Sequence, residues 1–153
     1  MVIAFFGSQG IVHKEFVQEG CTVNAEYYKG VLDRLISRVR WVCRTLYHTR
    51  EFFLLHDNAP AHLAAKIRQF LAQNQVATLN HPPYSPDLSP PDYFLFLKVK
   101  MQLKGARFDA IEEIQKTVTD HLNKIPAEDF SNAIKKLETR ANLCITSNGS
   151  YSE

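Results

Sequence analysis

No apolar run in these 153 residues approaches the roughly 20 that a membrane-spanning helix needs. The N-terminus also lacks the basic start and small-residue cleavage site of a secretory leader, so the chain reads as intracellular. Cysteine is scarce and scattered. Cys21, Cys43 and Cys144 form no C-x-x-C pair, which leaves neither a zinc knuckle nor a disulfide framework and points to a reducing compartment. Charge of one sign is lacking too: 18 Lys and Arg oppose 16 Asp and Glu, and a net charge of +2 draws no polyanion globally. Any nucleic-acid contact must therefore use local patches. There is no internal repeat, low-complexity tract or visible domain boundary, and 45% apolar content suits a single domain, 1–153, with a sizeable core. The sequon Asn148-Gly149-Ser150 has no role in a chain that is not exported.

What is present is a regular alternation of strand and helix signals. Val2 to Phe6 and Ile11 to Val17 are β-rich runs around Gly7-Ser8-Gln9-Gly10, the composition of a hairpin turn. Asn24 caps a helix in which Tyr28, Leu32, Leu35, Ile36, Val39 and Val42 recur at helical spacing. Arg34, Arg38, Arg40 and Arg44 read as the solvated flank of that helix. Phe52 to Leu55 is a short strand ending at His56-Asp57-Asn58, and Pro60 sits where the first turn of a helix over Ala61 to Asn74 tolerates a missing N–H. Val76 to Leu79 is a further strand, and five of the seven prolines then fall between Pro82 and Pro91 in an extended, stiff loop.

A helix opens near Pro91, carries Tyr93, Phe94, Phe96, Leu97, Met101 and Leu103, and ends at Gly105. Asp109 with Glu112 forms a capping box for the next, whose buried stripe is Ile111, Ile114, Val118 and Leu122. Pro126 opens the last, with Phe130, Ala133, Ile134, Leu137 and Ala141 inward. The order specifies a mixed α/β layer architecture.

Two carboxylates stand out by position. Asp57 closes a strand, the place from which open α/β sheets present reactive groups. Asp92 lies in the first turn of a helix, where the macrodipole favours the ionised form. Together they could hold a hard divalent cation, or they are simply a turn residue and a helix cap. His56 and His62 flank Asp57, but a pair without a third ligand argues for packing and hydrogen bonding rather than zinc, and His81 and His121 are treated alike. Lys98, Lys100, Lys104 and Arg107 fall in a stretch without an acidic side chain, which suits phosphate contact or a solvated helix face.

The run from His56 to His62, HDNAPAH, followed by His81 to Tyr93, HPPYSPDLSPPDY, closely resembles the mariner branch of the Tc1/mariner transposases. The number of residues between the two carboxylates, 92 − 57 − 1 = 34, matches the separation of the second and third catalytic carboxylates there. The similarity extends from Gly10 to Phe16, GIVHKEF, to the closing GSYSE. It implies an RNase H-like mixed sheet flanked by helices, with Asp57 and Asp92 as catalytic residues and as ligands of Mg²⁺ or Mn²⁺. It further implies two-metal phosphodiester chemistry on DNA, a nuclear or cytoplasmic location and a possible homodimer.

The departures from the pattern matter as well. The family's first catalytic Asp, on the central strand before the hairpin, and its helix-turn-helix modules are not found in these residues. Ser152 replaces the usual closing Phe, and the Trp usual before Cys144 is missing. The expectation is therefore a catalytic-domain remnant that keeps two of three metal-binding carboxylates and contacts DNA non-specifically through Lys98, Lys100, Lys104 and Arg107, without cleaving it. Glu15, Glu112 and Glu113 are internal candidates for a third carboxylate. A non-catalytic protein-interaction or dimerisation module is the alternative, and Tyr84-Ser85-Pro86-Asp87-Leu88 is either a loop rigidifier or a subunit contact. Neither a membrane nor a small-molecule substrate is expected.

Overall fold

The structure, a computed structural model, describes residues 2–49, 52–56, 59–79 and 86–146. The described residues cluster as two compact units, each taken by itself: one of residues 2–5 and 12–79, the other of 6–11 and 86–146.

The chain opens with β1 (Val2–Gly7) and β2 (Gly10–Phe16), paired as the expected hairpin. Gly10 takes φ +123°, a region side chains rarely enter, which explains the glycine at the turn. Helix α1 (Ala25–Val42) begins where Asn24 Oδ1 accepts the Tyr27 N–H at 2.8 Å, the cap that the sequence announces. Its inward face is Tyr28, Val31, Leu32, Leu35, Ile36 and Val39, so Val31 joins the expected stripe. Val42 leaves it, at 55% exposed, because the helix stops there and Cys43 turns away at φ −117°, ψ 54°. A short α2 (Arg44–Thr49) follows, an element without its own buried residue and hence without a pattern to read.

Strand β3 (Phe53–Leu55) and strand β4 (Ala77–Leu79) run parallel in the register Phe53 to Ala77, Leu54 to Thr78 and Leu55 to Leu79. Two helices connect them where one was expected. Ala64 adopts φ −59°, ψ 144° and divides α3 (Pro60–Leu63) from α4 (Ala65–Gln73). Alanine is the best helix former, so the break is imposed by packing: Ala61 and Ala64 both lie against the α1 core. The Ala64 carbonyl then accepts from Ile67 N and Arg68 N and starts α4. Tyr28, Leu32, Leu35, Ile36 and Val39 pack with Ile67, Phe70 and Leu71, and Phe5, Val12, Leu54 and Val76 close over them. Each fully buried side chain of this kind stabilises the fold by about 1.5–3 kcal/mol. Among the described residues the strands form two separate two-stranded sheets, so the hairpin and the parallel pair share no ladder.

In the second unit a 3₁₀ turn (Pro86–Leu88) leads into a wide, π-type first turn (Pro91–Leu95), in which Phe96 N–H reaches the Pro91 carbonyl, and then into α5 (Phe96–Leu103). The wide turn shifts the apolar phase. Leu95 and Val99 are buried, whereas Leu97 and Met101, expected inside, are 50% and 67% exposed. Gly105 at φ +81° ends the segment as anticipated.

Helix α6 (Ile111–Asn123) buries Val118 and Leu122 but leaves Ile111 and Ile114 exposed, which halves the expected stripe. Its cap also differs: Asp109 N–H donates to Glu113 Oε2 at 3.1 Å, so Glu113 rather than Glu112 does the work and only half of a box forms. Helix α7 (Ala127–Thr146) buries Phe130 and Ala133, and the rings of Phe6, Phe94 and Phe130 meet at 5.4–6.1 Å. The segment of the proline loop from 80 to 85, with His81, Tyr84 and Ser85, lies outside the described residues, as do Asn148, Ser152 and the rest of the chain end.

Candidate metal site and nucleic-acid surface

Asp92 occupies the wide turn that starts the α5 segment. Its N–H donates to the Ser89 carbonyl at 2.9 Å, and the Tyr93 N–H shares that acceptor at 3.1 Å. Leu88 and Ser89 are buried beneath it, which anchors the turn while the Asp92 side chain stays exposed. Tyr93 fixes the other side: its hydroxyl donates to the Ala133 carbonyl at 2.6 Å, and burial pushes its pKa up. Arg140 completes the support, lying over the Tyr93 ring at 4.6 Å and donating to the Asp87 carbonyl at 3.1 Å. The carboxylate thus stands on a rigid base at a helix N-terminus, where anionic charge is favoured. It has no ion-pair partner among the described residues.

Asp57 lies outside the described residues, and no group of three or more His, Cys, Asp or Glu that could hold a metal is found among those described. His56, which precedes Asp57 in sequence, is described together with His62. The Tyr28 hydroxyl and His56 Nδ1 are hydrogen-bonded at 3.1 Å, His62 stacks on Tyr28 with ring centroids 4.0 Å apart, and His56 and His62 lie nearly parallel at 5.2 Å. The two histidines line a cavity of about 630 Å³ with Arg68 and Thr78. Their ring stack is the packing role that their spacing suggested.

Glu15, an internal candidate for a third carboxylate, is engaged elsewhere. Arg34 donates to both its oxygens at 2.8 Å and His13 approaches at 2.7 Å. The Arg34 hydrogen bond holds the Glu15 carboxyl below its ordinary range against the opposing effect of burial, and Glu15 in turn raises Arg34. Glu113 is the half-cap described above, and Glu112 is exposed.

The basic segment divides. Lys98 Nζ is 3.3 Å from Asp129 Oδ2 and lies over the Phe94 ring at 5.5 Å, so its charge already has intramolecular partners. Lys100, Lys104 and Arg107 are exposed with no ion pair among the described residues. Charge counting treated the four alike because Asp129 is 31 residues from Lys98 in sequence.

Short strands flanked by helices, with a carboxylate at a helix start, make a mixed α/β fold. Comparison with known proteins carries this further, since residues 3–115 match the DDE superfamily endonuclease family. The chain belongs to that family, and within it to the mariner-type catalytic domains. The Mariner Mos1 transposase of Drosophila mauritiana is 34% identical over 155 residues, covering 100% of this chain and 45% of that protein. The human histone-lysine N-methyltransferase SETMAR is 30% identical over 151 residues, covering 99% of this chain and 22% of that protein. The chain therefore spans less than half the length of either relative.

A structure described as the Mos1 transposase catalytic domain with raltegravir and Mg aligns at TM-score 0.90 and 33% identity, over 99% of this chain and 76% of that one. The Mos1 mariner paired-end complex with Mn aligns at TM-score 0.92 and 34% identity, over 99% and 44%. These likenesses fix the RNase H-like architecture. No helix among the described residues is long and apolar enough to cross a membrane.

Proposed function

We propose that this chain is a mariner-transposase catalytic-domain segment, acting as one domain, that binds DNA without sequence preference and holds divalent metal weakly through Asp57 and Asp92. The observation that carries the reading is the exposed Asp92 carboxylate at the start of the α5 segment, followed by exposed Lys100, Lys104 and Arg107, none of which has an ion pair among the described residues. A hard oxygen donor suits Mg²⁺ or Mn²⁺, ions that take one or two carboxylates with water and phosphate oxygens. Mos1 structures described with Mg, with Mn and as paired-end complexes support the same cofactor and partner here. Such ions, when bound, activate an attacking water or 3′-hydroxyl. Asp57 and Asp92 would hold them, and the basic side chains would hold the adjacent phosphates.

By itself the 153-residue chain neither cleaves nor transfers strands in this reading. Of the three carboxylates the resemblance calls for, it offers two, and Glu15 is committed to Arg34 and His13. Mn²⁺ titration followed by NMR tests the site. Paramagnetic broadening centred on Asp92 and lost in Asp92→Asn is expected, with no nicking of duplex DNA. Broadening unchanged in Asp92→Asn, or cleavage abolished by Asp57→Ala and Asp92→Ala, would sink the respective half of the proposal.

A second reading, a dimerisation or protein-interaction module, draws on the exposed Leu97 and Met101. Self-association insensitive to salt, with no DNA affinity, would favour it.

A further inference from the structure

Arg34, Arg38 and Trp41 recur at i, i+4 and i+7 and share one exposed face of α1, which Arg44 of α2 extends. Trp41 is the sole tryptophan of the chain and is 70% exposed. The Arg44 guanidinium lies 5.7 Å from its ring centroid. Next to it Arg40 covers the Tyr47 ring at 5.1 Å and donates to the Tyr47 hydroxyl at 3.0 Å. Between Asp33 and Glu51 the sequence contains no acidic residue at all. Arg34 is neutralised by Glu15, while Arg38, which reaches the Val12 carbonyl at 3.4 Å, Arg40 and Arg44 have no carboxylate partner among the described residues. The four arginines are exposed, as a solvated flank requires, but that reading does not account for an exposed indole with the Arg44 guanidinium over its ring.

An exposed aromatic face bordered by cations is what single-stranded nucleic acid uses, because every base can stack on the ring while arginines take the phosphates. Protein interfaces also favour Trp, Tyr and Arg, but three arginines with no acidic residue between Asp33 and Glu51 call for a polyanionic partner, which a phosphate backbone supplies. We propose that the α1–α2 surface binds single-stranded DNA, with Trp41 stacking on an unpaired base and Arg38, Arg40 and Arg44 holding its backbone. This surface belongs to the first unit and Lys100, Lys104 and Arg107 to the second, and the inference does not rest on the duplex binding proposed for them.

Having one tryptophan makes its fluorescence a reporter of this surface alone. Titration with an oligothymidylate of about 15 nucleotides, near the upper site size of single-strand modules, should quench Trp41 to saturation. Trp41→Ala should weaken binding, read by anisotropy of a labelled oligonucleotide, about 5- to 100-fold, and Trp41→Phe, which keeps a ring and the fold, should restore most of it. Replacing Arg38, Arg40 and Arg44 by Gln should flatten the dependence of log K on log[salt] by about 2, from roughly 0.7 per single-strand phosphate. The Lys100, Lys104 and Arg107 variant should quench as the parent does.

No affinity for the oligonucleotide, binding that leaves Trp41 fluorescence unmoved, or equal affinity in Trp41→Ala would overturn the proposal. So would sedimentation showing that Trp41→Ala dissociates a dimer without changing oligonucleotide affinity, since Val42 and Leu46 beside the indole are also exposed. Duplex binding that persists with no quenching would overturn it while leaving the function proposed above intact.

Discussion

Replacing Lys100, Lys104 and Arg107 together by Gln should remove most of the salt dependence of duplex DNA binding attributed to the α5 segment, whereas Lys98→Gln should leave it nearly unchanged. The difference follows from the Lys98 to Asp129 ion pair at 3.3 Å, because a cation that already has a carboxylate neutralises no phosphate without first losing it. Three cations without an ion pair among the described residues, at roughly 0.9 per phosphate, contribute a slope of about −2.7 in log K against log[salt], where four would give about −3.6. Over a fourfold change of salt the smaller slope corresponds to about a 40-fold change in affinity. Anisotropy of a labelled duplex at several salt concentrations reads both the slope and its loss in each variant. Each single substitution at 100, 104 or 107 should flatten the slope by about 0.9. A Lys98→Gln variant as flat as Lys100→Gln would refute the assignment of Lys98 to Asp129, and an unchanged slope in the triple variant would refute phosphate contact by this segment.

Glu15 gives a pH prediction. Its carboxyl is held below the ordinary value of 4.5, chiefly by the Arg34 hydrogen bond, so its contribution to stability is fully present above the unfolded pKa and is lost as pH falls through the lower folded one. Denaturant midpoints between neutral and acid pH should therefore drop less in Glu15→Gln than in the parent, and parallel acid limbs would contradict the clamp. Tyr28→Phe removes the hydroxyl 3.1 Å from His56 Nδ1 and keeps the stacked ring, so urea unfolding should show a loss of about 0.5–1.5 kcal/mol; no loss would mean the hydrogen bond carries nothing. Leu95→Ala opens a cavity at a side chain that is 0% exposed and should cost about 2–5 kcal/mol, against a near-neutral Leu97→Ala. The reverse ranking would restore the phase expected for an ordinary first turn.

Elements with a local signal were readable in the sequence. The Asn24 cap, the hairpin around Gly10 and the stop at Gly105 each depend on the chemistry of a few consecutive residues, and the structure realises all three. The divided helix at Ala64 was not readable, because its cause is contact with α1 residues far away in sequence and alanine itself argues the other way. The inward residues of the α5 segment were misassigned for a related reason. A 3.6-residue period places Phe94, Leu97 and Met101 on one face, but the wide turn at Pro91–Leu95 adds part of a residue to the first turn and rotates Leu95 and Val99 inward.

The site divides along the same line, with one consequence for how it works. The place of Asp92 at a helix start was readable because a proline-rich approach is a local feature, and the structure shows what holds the turn: buried Leu88 and Ser89 below, Tyr93 bonded to α7 beside it, and Arg140 over the ring. The supports from Ala133 and Arg140 are long-range and leave no mark near residue 92. They also argue that the turn's geometry is set by packing rather than by a bound ion, since every one of them is satisfied by protein groups alone. A carboxylate on such a base does not have to be organised when metal arrives; only its solvation changes. Weak affinity in this chain would then reflect a shortage of donors rather than a mobile donor. Supplying a further carboxylate in place should strengthen metal binding without altering the hydrogen bonds around Ser89 and Tyr93.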